Sequence, residues 1–234
     1  MQRNLDSVSI SIQHKKLFRE PINLVFDGTF FSRSDGVIVY RSGGKNLYWQ
    51  FVQSEKLSHI ADGLDFLETL GYQFKSFTID GRKGVIQLLK ARYPDIPIQL
   101  CQFHQAQIIR RYTTQNPKTD CGKELKAIMQ CLTDTEQEVF ESLVETCREV
   151  YADFLKERND NGQFKHPRLR SAFRSIRTNM PYLFSYRNYP ERNIPNTTNS
   201  CDGSFAHWKQ KLKIHRGLKK HRRNKVVEFL LSQS

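Results

Sequence analysis

The sequence predicts an α/β domain with a mixed β-sheet and an all-helical insertion. Three short runs of β-branched and aromatic residues come first and are separated by glycine-containing turns. Helical and strand patterns then alternate, which gives the order βββαβαβ. After about residue 105 the apolar spacing becomes helical. With 234 residues, 38% of them hydrophobic, the chain can bury a substantial core.

The first three strands are predicted at residues 22–31, 36–41 and 46–53. Their connections contain the sequences SDG and SGG, which are typical of tight turns. We therefore expect the three strands to form an antiparallel meander.

Two helices and two strands follow the meander. Leucine and isoleucine at helical spacing predict a helix over 56–71, ended by Gly71. A strand is predicted at 74–79, a helix that stops at a proline at 82–94, and another strand at 96–103.

The clearest helix of the insertion is predicted at 134–159, with Thr133 and Glu136 as a capping box. Its second face is strongly acidic, which is typical of a solvated surface and argues against contact with DNA. A basic helical stretch at 166–186 follows. The apolar stripe of the first helix comprises Phe140, Leu143, Val144, Cys147, Val150, Tyr151 and Phe154.

The overall charge favours a polyanionic partner. Lys and Arg exceed Asp and Glu by 13, and nucleic acid is the foremost candidate, although basic ribosomal and membrane-surface proteins share this excess. No secretory leader and no stretch of about 18 apolar residues is evident, so we expect no membrane insertion and a cytoplasmic location. Five irregularly spaced cysteines indicate reduced thiols.

Two acidic residues occupy unusual places in this pattern. Asp27 interrupts an apolar strand, where an unpaired carboxylate is expensive, and Asp80 follows the fourth strand directly. If the first and fourth strands are neighbours, the two carboxylates meet and repel each other unless a cation lies between them. Mg²⁺ or Mn²⁺ suits such oxygen ligands. Alternatively, the two acids serve unrelated turns or helix caps.

This arrangement resembles the ribonuclease-H-like catalytic domain of DDE transposases, and in detail the Mutator-type insertion-sequence transposases. In that family DGT marks the first acid, DG.KG the second, and a C..H element follows. The chain has DGT at 27–29, DGRKG at 80–84, CQFH at 101–104 and PNTTNSCDG at 195–203. The resemblance covers roughly residues 20–215.

The resemblance implies a third acid on a late helix, after a TTN element. The family usually has Glu there, whereas this chain has Asp202 followed by Gly203. Aspartate is one methylene shorter but offers the same hard oxygen ligands. Glu191 is the alternative, although it lacks the glycine and the following helix. The exchange of Glu for Asp is also compatible with a relic that has lost catalysis.

The resemblance further implies two Mg²⁺ or Mn²⁺ ions held by Asp27, Asp80 and Asp202. His104 is expected close to the scissile phosphate, with Cys101 packed under it as an auxiliary residue. A zinc site is a weaker interpretation, because the C-x₂-H spacing supplies two ligands and no second pair stands at suitable spacing. Pure packing is the remaining alternative for both residues.

The helix that follows the TTN element is predicted to have an apolar face and a neighbouring basic stripe. Residues 209–225 contain nine Lys or Arg and no acid, which suits the phosphate backbone of DNA. A merely soluble tail or a localisation signal is the alternative, and Gly217 can interrupt the helix. The apolar face comprises Phe205, Trp208 and Leu212. The stripe comprises Asp202, Lys209, Lys213 and Arg216. Further cations expected on DNA are Lys219, Lys220, Arg222 and Arg223. Trp49 and Trp208 are interpreted as core residues.

These expectations divide the chain into the first part of the catalytic core (20–104), the helical insertion (105–194) and the last catalytic helix with a basic tail (195–234). The implied function is a DNA transposase catalytic domain that cleaves transposon-end phosphodiesters and transfers strands. Its partners would be transposon ends, target DNA and further copies of the chain, and it would join the bacterial nucleoid when bound to DNA. A ribonuclease-H-like nuclease and an inactive DNA-binding relic are the alternatives. Family members carry a DNA-reading module before the core, for which residues 1–20 are too short.

Overall fold

A five-stranded mixed sheet forms the centre of the computed structural model, which describes residues 14–214 and 217–233 without the side chains of Asp202 and Ile214. The strand order is β3-β2-β1-β4-β5. The first three strands pair antiparallel, and β4 and β5 extend the sheet in parallel with β1. The predicted meander and the predicted neighbourhood of the first and fourth strands are both confirmed. The strands are β1 (Ile22–Ser32), β2 (Asp35–Ser42), β3 (Lys45–Val52), β4 (Phe74–Ile79) and β5 (Ile98–Leu100).

Helices cover both faces of this sheet and one of its edges. The first two alternate with the last strands, and the next six form a helical block between β5 and the C-terminal helices. The helices are α1 (Leu57–Thr69), α2 (Lys83–Arg92), α3 (Gln102–Thr113), α4 (Asp120–Gln130), α5 (Gln137–Val150), α6 (Ala152–Lys156), α7 (Pro167–Leu183), α8 (Ser185–Asn188), α9 (Asn199–Ile214) and α10 (Lys220–Ser232).

The two faces of the sheet belong to separate apolar cores. One core joins alternate residues of β1 and β2 to α1 and continues into the helical block. The other joins the opposite residues of the meander to α9 and α10. Both tryptophans lie in this second core with exposures of 7% for Trp49 and 3% for Trp208, which confirms their prediction as core residues. The second core comprises Val25, Val37, Val39, Trp49, Cys201, Phe205, Trp208, Val227 and Leu231.

Two predicted elements have clearly different bounds in the structure. The strand expected at 96–103 ends at Leu100, because the chain turns into α3 immediately after Cys101. The long helix expected at 134–159 is divided at Tyr151 into α5 and α6. Along its stripe Phe140, Val144 and Cys147 are buried, whereas Leu143 and Val150 are exposed.

The expected capping box of α5 is wrong. Glu136 is the N-cap residue but its side chain makes no capping hydrogen bond. The carboxylate instead accepts from Arg187, and the Thr133 hydroxyl donates to Asp134 at 3.2 Å. An ion pair between distant segments has replaced the local hydrogen bonds.

The helical block is joined to the sheet edge by buried polar side chains. Gln99 on β5 and Gln102 on α3 both donate to the carbonyl oxygen of Leu183 at the end of α7, at 2.9 and 3.0 Å. The Ser185 hydroxyl donates to the Ile98 carbonyl oxygen at 2.7 Å. These contacts fix one end of α7 against β5. In the described parts of the chain no helix is both long and apolar enough to cross a membrane.

Candidate active site at the carboxyl ends of the parallel strands

Asp27 and Asp80 stand at the same level on neighbouring strands. The register of β1 and β4 pairs Val25 with Thr78, and each acid follows its member of that pair by two residues. Both acids are partly buried at the carboxyl ends of this parallel pairing. The predicted juxtaposition of the two carboxylates therefore agrees with the strand register.

The geometry of the turn after Asp80 explains why glycine stands at position 81, but it does not explain why an acid stands at position 80. Gly81 has φ of +92°, a left-handed conformation that favours glycine. Helix α2 begins at Lys83 with Arg82 as its N-cap and without a side-chain capping bond, so Asp80 does not cap the helix. Asp80 Oδ1 accepts from the Arg82 backbone amide at 3.4 Å, which orients its carboxylate.

Cys101 continues the same row onto the third parallel strand. Ile79 pairs with Leu100, so Asp80 and Cys101 are both one residue beyond that pair. The Thr198 backbone amide and hydroxyl donate to Cys101 Sγ at 3.2 and 3.3 Å, and the same hydroxyl lies 3.2 Å from His104 Nδ1. The CQFH and TTN elements, nearly a hundred residues apart in sequence, therefore meet beside the two acids.

The Cys101 thiol is almost fully buried in this cluster. Burial alone would raise its pKa, but hydrogen bonds with His104 and Thr198 outweigh burial and lower the pKa. Cys101 and His104 therefore belong to one hydrogen-bonded cluster with Thr198.

The segment 195–198 is anchored along the same sheet edge. The Thr78 hydroxyl donates to the Pro195 carbonyl oxygen at 2.8 Å. The Gln102 backbone N–H donates to the Asn196 carbonyl oxygen at 3.0 Å, and the Asn196 side-chain amide donates to Gln102 Oε1 at 3.0 Å. Because α9 starts at Asn199, these bonds position the segment that leads into the helix that contains Asp202.

Helix α9 covers the face of the sheet toward which Asp27 points. Val25 lies in the apolar core between the sheet and α9. Asp27, two residues later on the strand, points toward the same face of the sheet. Arg41, the β2 partner of Val25, donates to the Ser200 carbonyl oxygen and to Ser204 Oγ. Leu212, near the end of α9, lines the same cavity as Phe30 and Phe31, so α9 runs along β1 in the same direction. Two strand residues and four helix residues each advance about 6 Å, so α9 passes the level of Asp27 about one turn after Ser200. The backbone of Asp202 belongs to this turn.

Glu191, the alternative third acid, lies at the other end of the strands. It belongs to a short 3-10 turn, Pro190–Arg192, whose Arg192 donates to the Lys75 carbonyl oxygen at 2.9 Å. Asn23 on β1 donates to the Arg192 carbonyl oxygen at 2.9 Å. Asn23 precedes Asp27 by four residues, about 13 Å along the strand. At this distance Glu191 is disfavoured as a carboxylate of the same site as Asp27 and Asp80.

A further carboxylate near this end of the strands, that of Glu55, was not predicted from the sequence. Its Oε1 lies over Gly28, where an added Cβ would be only 2.9 Å away. Gly28 and Asp27 face opposite sides of β1, so Glu55 lies on the other face of the sheet from the Asp27 side chain. Arg82 pairs with Glu55 Oε2 at 2.7 Å and donates to its carbonyl oxygen at 2.8 Å. Burial raises the pKa of Glu55, Arg82 lowers it, and the charge of Asp80 adds to the rise. This position could have been predicted from the meander. Its first and third strands run in the same direction, so residues that follow β1 and β3 lie at the same end of the sheet.

The donor chemistry of this edge suits a hard divalent cation. Asp27 and Asp80 both offer carboxylate oxygens at this edge, and these are the ligands that Mg²⁺ and Mn²⁺ prefer. Among the described side chains no group of three or more His, Cys, Asp or Glu residues is arranged to hold a metal ion. A complete ligand set would require Asp202, whose side chain lies outside the described atoms.

The predicted DNA-binding cations fall into two groups. Lys209 and Lys213 are exposed on α9 and border a cavity of about 410 Å³ that also contacts Phe30 and Phe31. Arg216 lies outside the described residues. The basic stretch is not one helix, because Gly217 has φ of +95° and α10 begins at Lys220.

The second group lies on α10, which packs on the sheet through Val227 and Leu231 and is therefore more than a tail. Arg223 pairs with the buried Asp35, and Lys220 lies 3.8 Å from the same carboxylate. These two cations therefore have a structural partner. Lys219 is exposed and Arg222 is partly buried.

No protein-family model matches the chain, and no curated protein matches it. The fold and the site define an α/β protein in which acidic side chains gather at the carboxyl ends of parallel strands.

Proposed function

We propose that the chain is a ribonuclease-H-like catalytic domain that cleaves and transfers DNA strands, as a DDD variant of the DDE transposases. The observation that carries the proposal is the common level of Asp27 and Asp80, with α9 and its Asp202 crossing the same face of the sheet. The order of the strands and the four sequence motifs support the same proposal.

Each residue has a role that follows from its position. Asp27, Asp80 and Asp202 would hold two Mg²⁺ or Mn²⁺ ions, which when bound activate a water or a DNA 3′-hydroxyl and stabilise the leaving oxygen. Thr198 orients the ring of His104 at the same edge, where it can contact the DNA phosphate. Transposon ends and target DNA would be the substrates, with two or more copies of the chain on the DNA.

The decisive experiment measures cleavage and strand transfer on DNA that carries terminal inverted repeats, with Mg²⁺ or Mn²⁺ and with EDTA. Metal-dependent cleavage followed by joining to a second DNA supports the proposal. Cleavage of branched or hybrid substrates without joining would identify a nuclease instead. Binding without cleavage of any of these substrates would contradict catalysis and leave a DNA-binding relic.

The identity of the third acid is tested by three substitutions. We expect Asp202→Ala to abolish cleavage and Asp202→Glu to retain it, because glutamate supplies the same oxygen ligands on a longer arm. Glu191→Ala should retain cleavage, because Glu191 lies at the opposite end of the strands. An inactive Glu191→Ala together with an active Asp202→Ala would transfer the role to Glu191.

The stripe on α9 is tested through the salt dependence of DNA affinity. Replacing Lys209, Lys213 and Arg216 by Gln should flatten the slope of log affinity against log salt by roughly two to three units, about 0.9 for each phosphate contact. All DNA sequences should be weakened alike, because phosphate contacts carry no base information. A folded triple variant with the parental slope would show that the stripe does not contact DNA.

A further inference from the structure

A second basic surface lies in the helical block, well away from the paired acids. A cavity of about 230 Å³ opens between α7 and the α5–α6 segment. Leu155 and Phe173 form part of its lining and are buried. The cationic side chains around it are Arg148, Lys156, Arg170, Arg174 and Arg177, and Glu145 is the acid among its lining residues.

Three of these cations share one face of α7. Arg170, Arg174 and Arg177 are spaced i, i+4, i+7, which places them in a row about 10 Å long. A cationic row of this length can reach more than one phosphate of the same DNA strand. The spacing therefore suits a continuous phosphate backbone.

Most of the positive charges around this cavity are not neutralised by ion pairs within the described part of the chain. Glu145 is held by Arg148 Nε at 2.6 Å, and Arg174 and Arg177 are exposed and have no ion pair among the described residues. Lys156 has only a loose, exposed pair with Asp153 at 3.6 Å, which contributes little. The cavity therefore presents a net positive surface to solvent.

Arg170 is held in place by the protein. It donates to the Leu155 carbonyl oxygen at 3.0 Å, and its guanidinium lies 3.6 Å from the centre of the Phe164 ring. Arg158 covers the same ring at 4.0 Å. The first cation of the row is therefore preorganised, which reduces the entropy that ligand binding would cost.

We infer that this cavity binds the sugar-phosphate backbone of DNA as a second contact, separate from the stripe on α9. Arginine suits phosphate because its guanidinium donates two parallel hydrogen bonds. The exposure of Arg174 and Arg177 favours an extended polyanion over a small enclosed anion. The acidic face of α5 had argued against DNA on that helix, but Arg148 at its carboxyl end joins the basic surface of α7.

The cavity and the candidate active site contact different parts of the DNA. The end of α7 at Leu183 is fixed to β5, and Arg177 and Arg170 precede Leu183 by six and thirteen residues. The row thus begins about 9 Å and ends about 20 Å along the helix from the sheet edge. This inference rests on the proposed function for its ligand, and its test is independent of catalysis.

The test compares the salt dependence of duplex binding, in EDTA, between the parental chain and Arg174→Gln/Arg177→Gln. If both arginines contact phosphates, the slope of log affinity against log salt should fall by about 1.8. Arg170 is left unchanged, because its loss would also remove packing. Circular dichroism and thermal melting confirm that the variant is folded.

The matched control is Arg19→Gln/Lys45→Gln, which removes two exposed positive charges near the turn between β2 and β3, at the opposite edge of the sheet from α7. We expect the control to keep the parental slope. An unchanged slope in Arg174→Gln/Arg177→Gln, or an equal fall in the control, would overturn the inference. Asp27→Asn should keep the parental slope and lose cleavage, so a failure of the active site and a failure of the cavity give different results.

Discussion

Asp27→Asn and Asp80→Asn are each expected to abolish metal-dependent DNA cleavage while duplex binding in EDTA stays close to the parental value. Each substitution keeps the shape of the side chain and removes one negative metal ligand. Substitution of a residue that merely orients a metal ligand lowers metal affinity or activity about 10- to 100-fold. Substitution of a direct ligand should therefore cause a larger loss. The cationic surfaces on α7 and α9 are untouched, which preserves DNA affinity.

Asp95→Asn is the matched control for this pair. Asp95 is exposed in the connection between α2 and β5, so the same chemical change there should leave cleavage unaltered. Isothermal titration with Mn²⁺ gives a second readout, because both active-site variants should bind the metal more weakly than Asp95→Asn. Parental cleavage rates in both Asp27→Asn and Asp80→Asn would refute the candidate site.

The sheet could be predicted because its signals are local. Alternating apolar residues and glycine turns define β1, β2 and β3. At most of the strand ends, the observed bound differs from the predicted one by a single residue. The acid at position 27 stood out because it breaks an apolar strand. Its position level with Asp80 follows from strand order, which the βββαβ pattern suggested.

Other parts of the site depend on contacts that no local pattern contains. Glu55 lies beyond the end of β3 and reaches Gly28 only because β1 and β3 run parallel with β2 between them. Thr198 meets Cys101 across 97 positions of sequence. Periodicity identifies buried faces, but it does not determine which side chains meet between them. The family resemblance implied that the TTN and CQFH elements both lie near the catalytic residues, but it did not predict their direct contact.

Helix boundaries were missed for a related reason. Local spacing predicted one helix across Tyr151 and a capping box at Glu136, but the backbone leaves helical geometry at Tyr151 and a distant partner binds the Glu136 carboxylate. The carboxylate of Glu136 pairs with Arg187, 51 positions away, and is therefore not used for the cap. Such competition between local and distant partners is visible only in the folded chain.

Gly63→Ala is expected to have the largest effect on stability. Gly63 is buried in α1, and a Cβ added there would lie 2.6 Å from Tyr40 Cε2 and closer still to Tyr40 Cζ and its hydroxyl oxygen. Tyr40 is fully buried, and its hydroxyl donates toward the His59 and Ile60 carbonyl oxygens at 3.2 and 3.4 Å. The ring therefore cannot yield without losing its own contacts with the helix.

Phe26 and Tyr48 confine the same ring, with centroids 5.5 and 5.6 Å from that of Tyr40. Extra methyl groups in well-packed cores cost about 1–3 kcal/mol, and this overlap places Gly63→Ala at or above the upper end of that range. The gain in helix propensity from glycine to alanine is only about 1 kcal/mol. We therefore expect the free energy of unfolding to fall by at least about 2 kcal/mol.

Gly203→Ala supplies the matched comparison, because it adds the same methyl group to a helical glycine whose new Cβ has no described atom of another part of the chain within 4 Å. Only the propensity term acts there, so the free energy of unfolding should rise by about 0.5–1 kcal/mol. Urea denaturation of the two variants and the parental chain measures both changes. Because the two substitutions are chemically identical, a fall in the free energy of unfolding for Gly63→Ala together with a rise for Gly203→Ala isolates the effect of the packing of α1 on Tyr40. Equal stabilisation by both variants would mean that α1 does not lie as closely on the sheet as this packing requires.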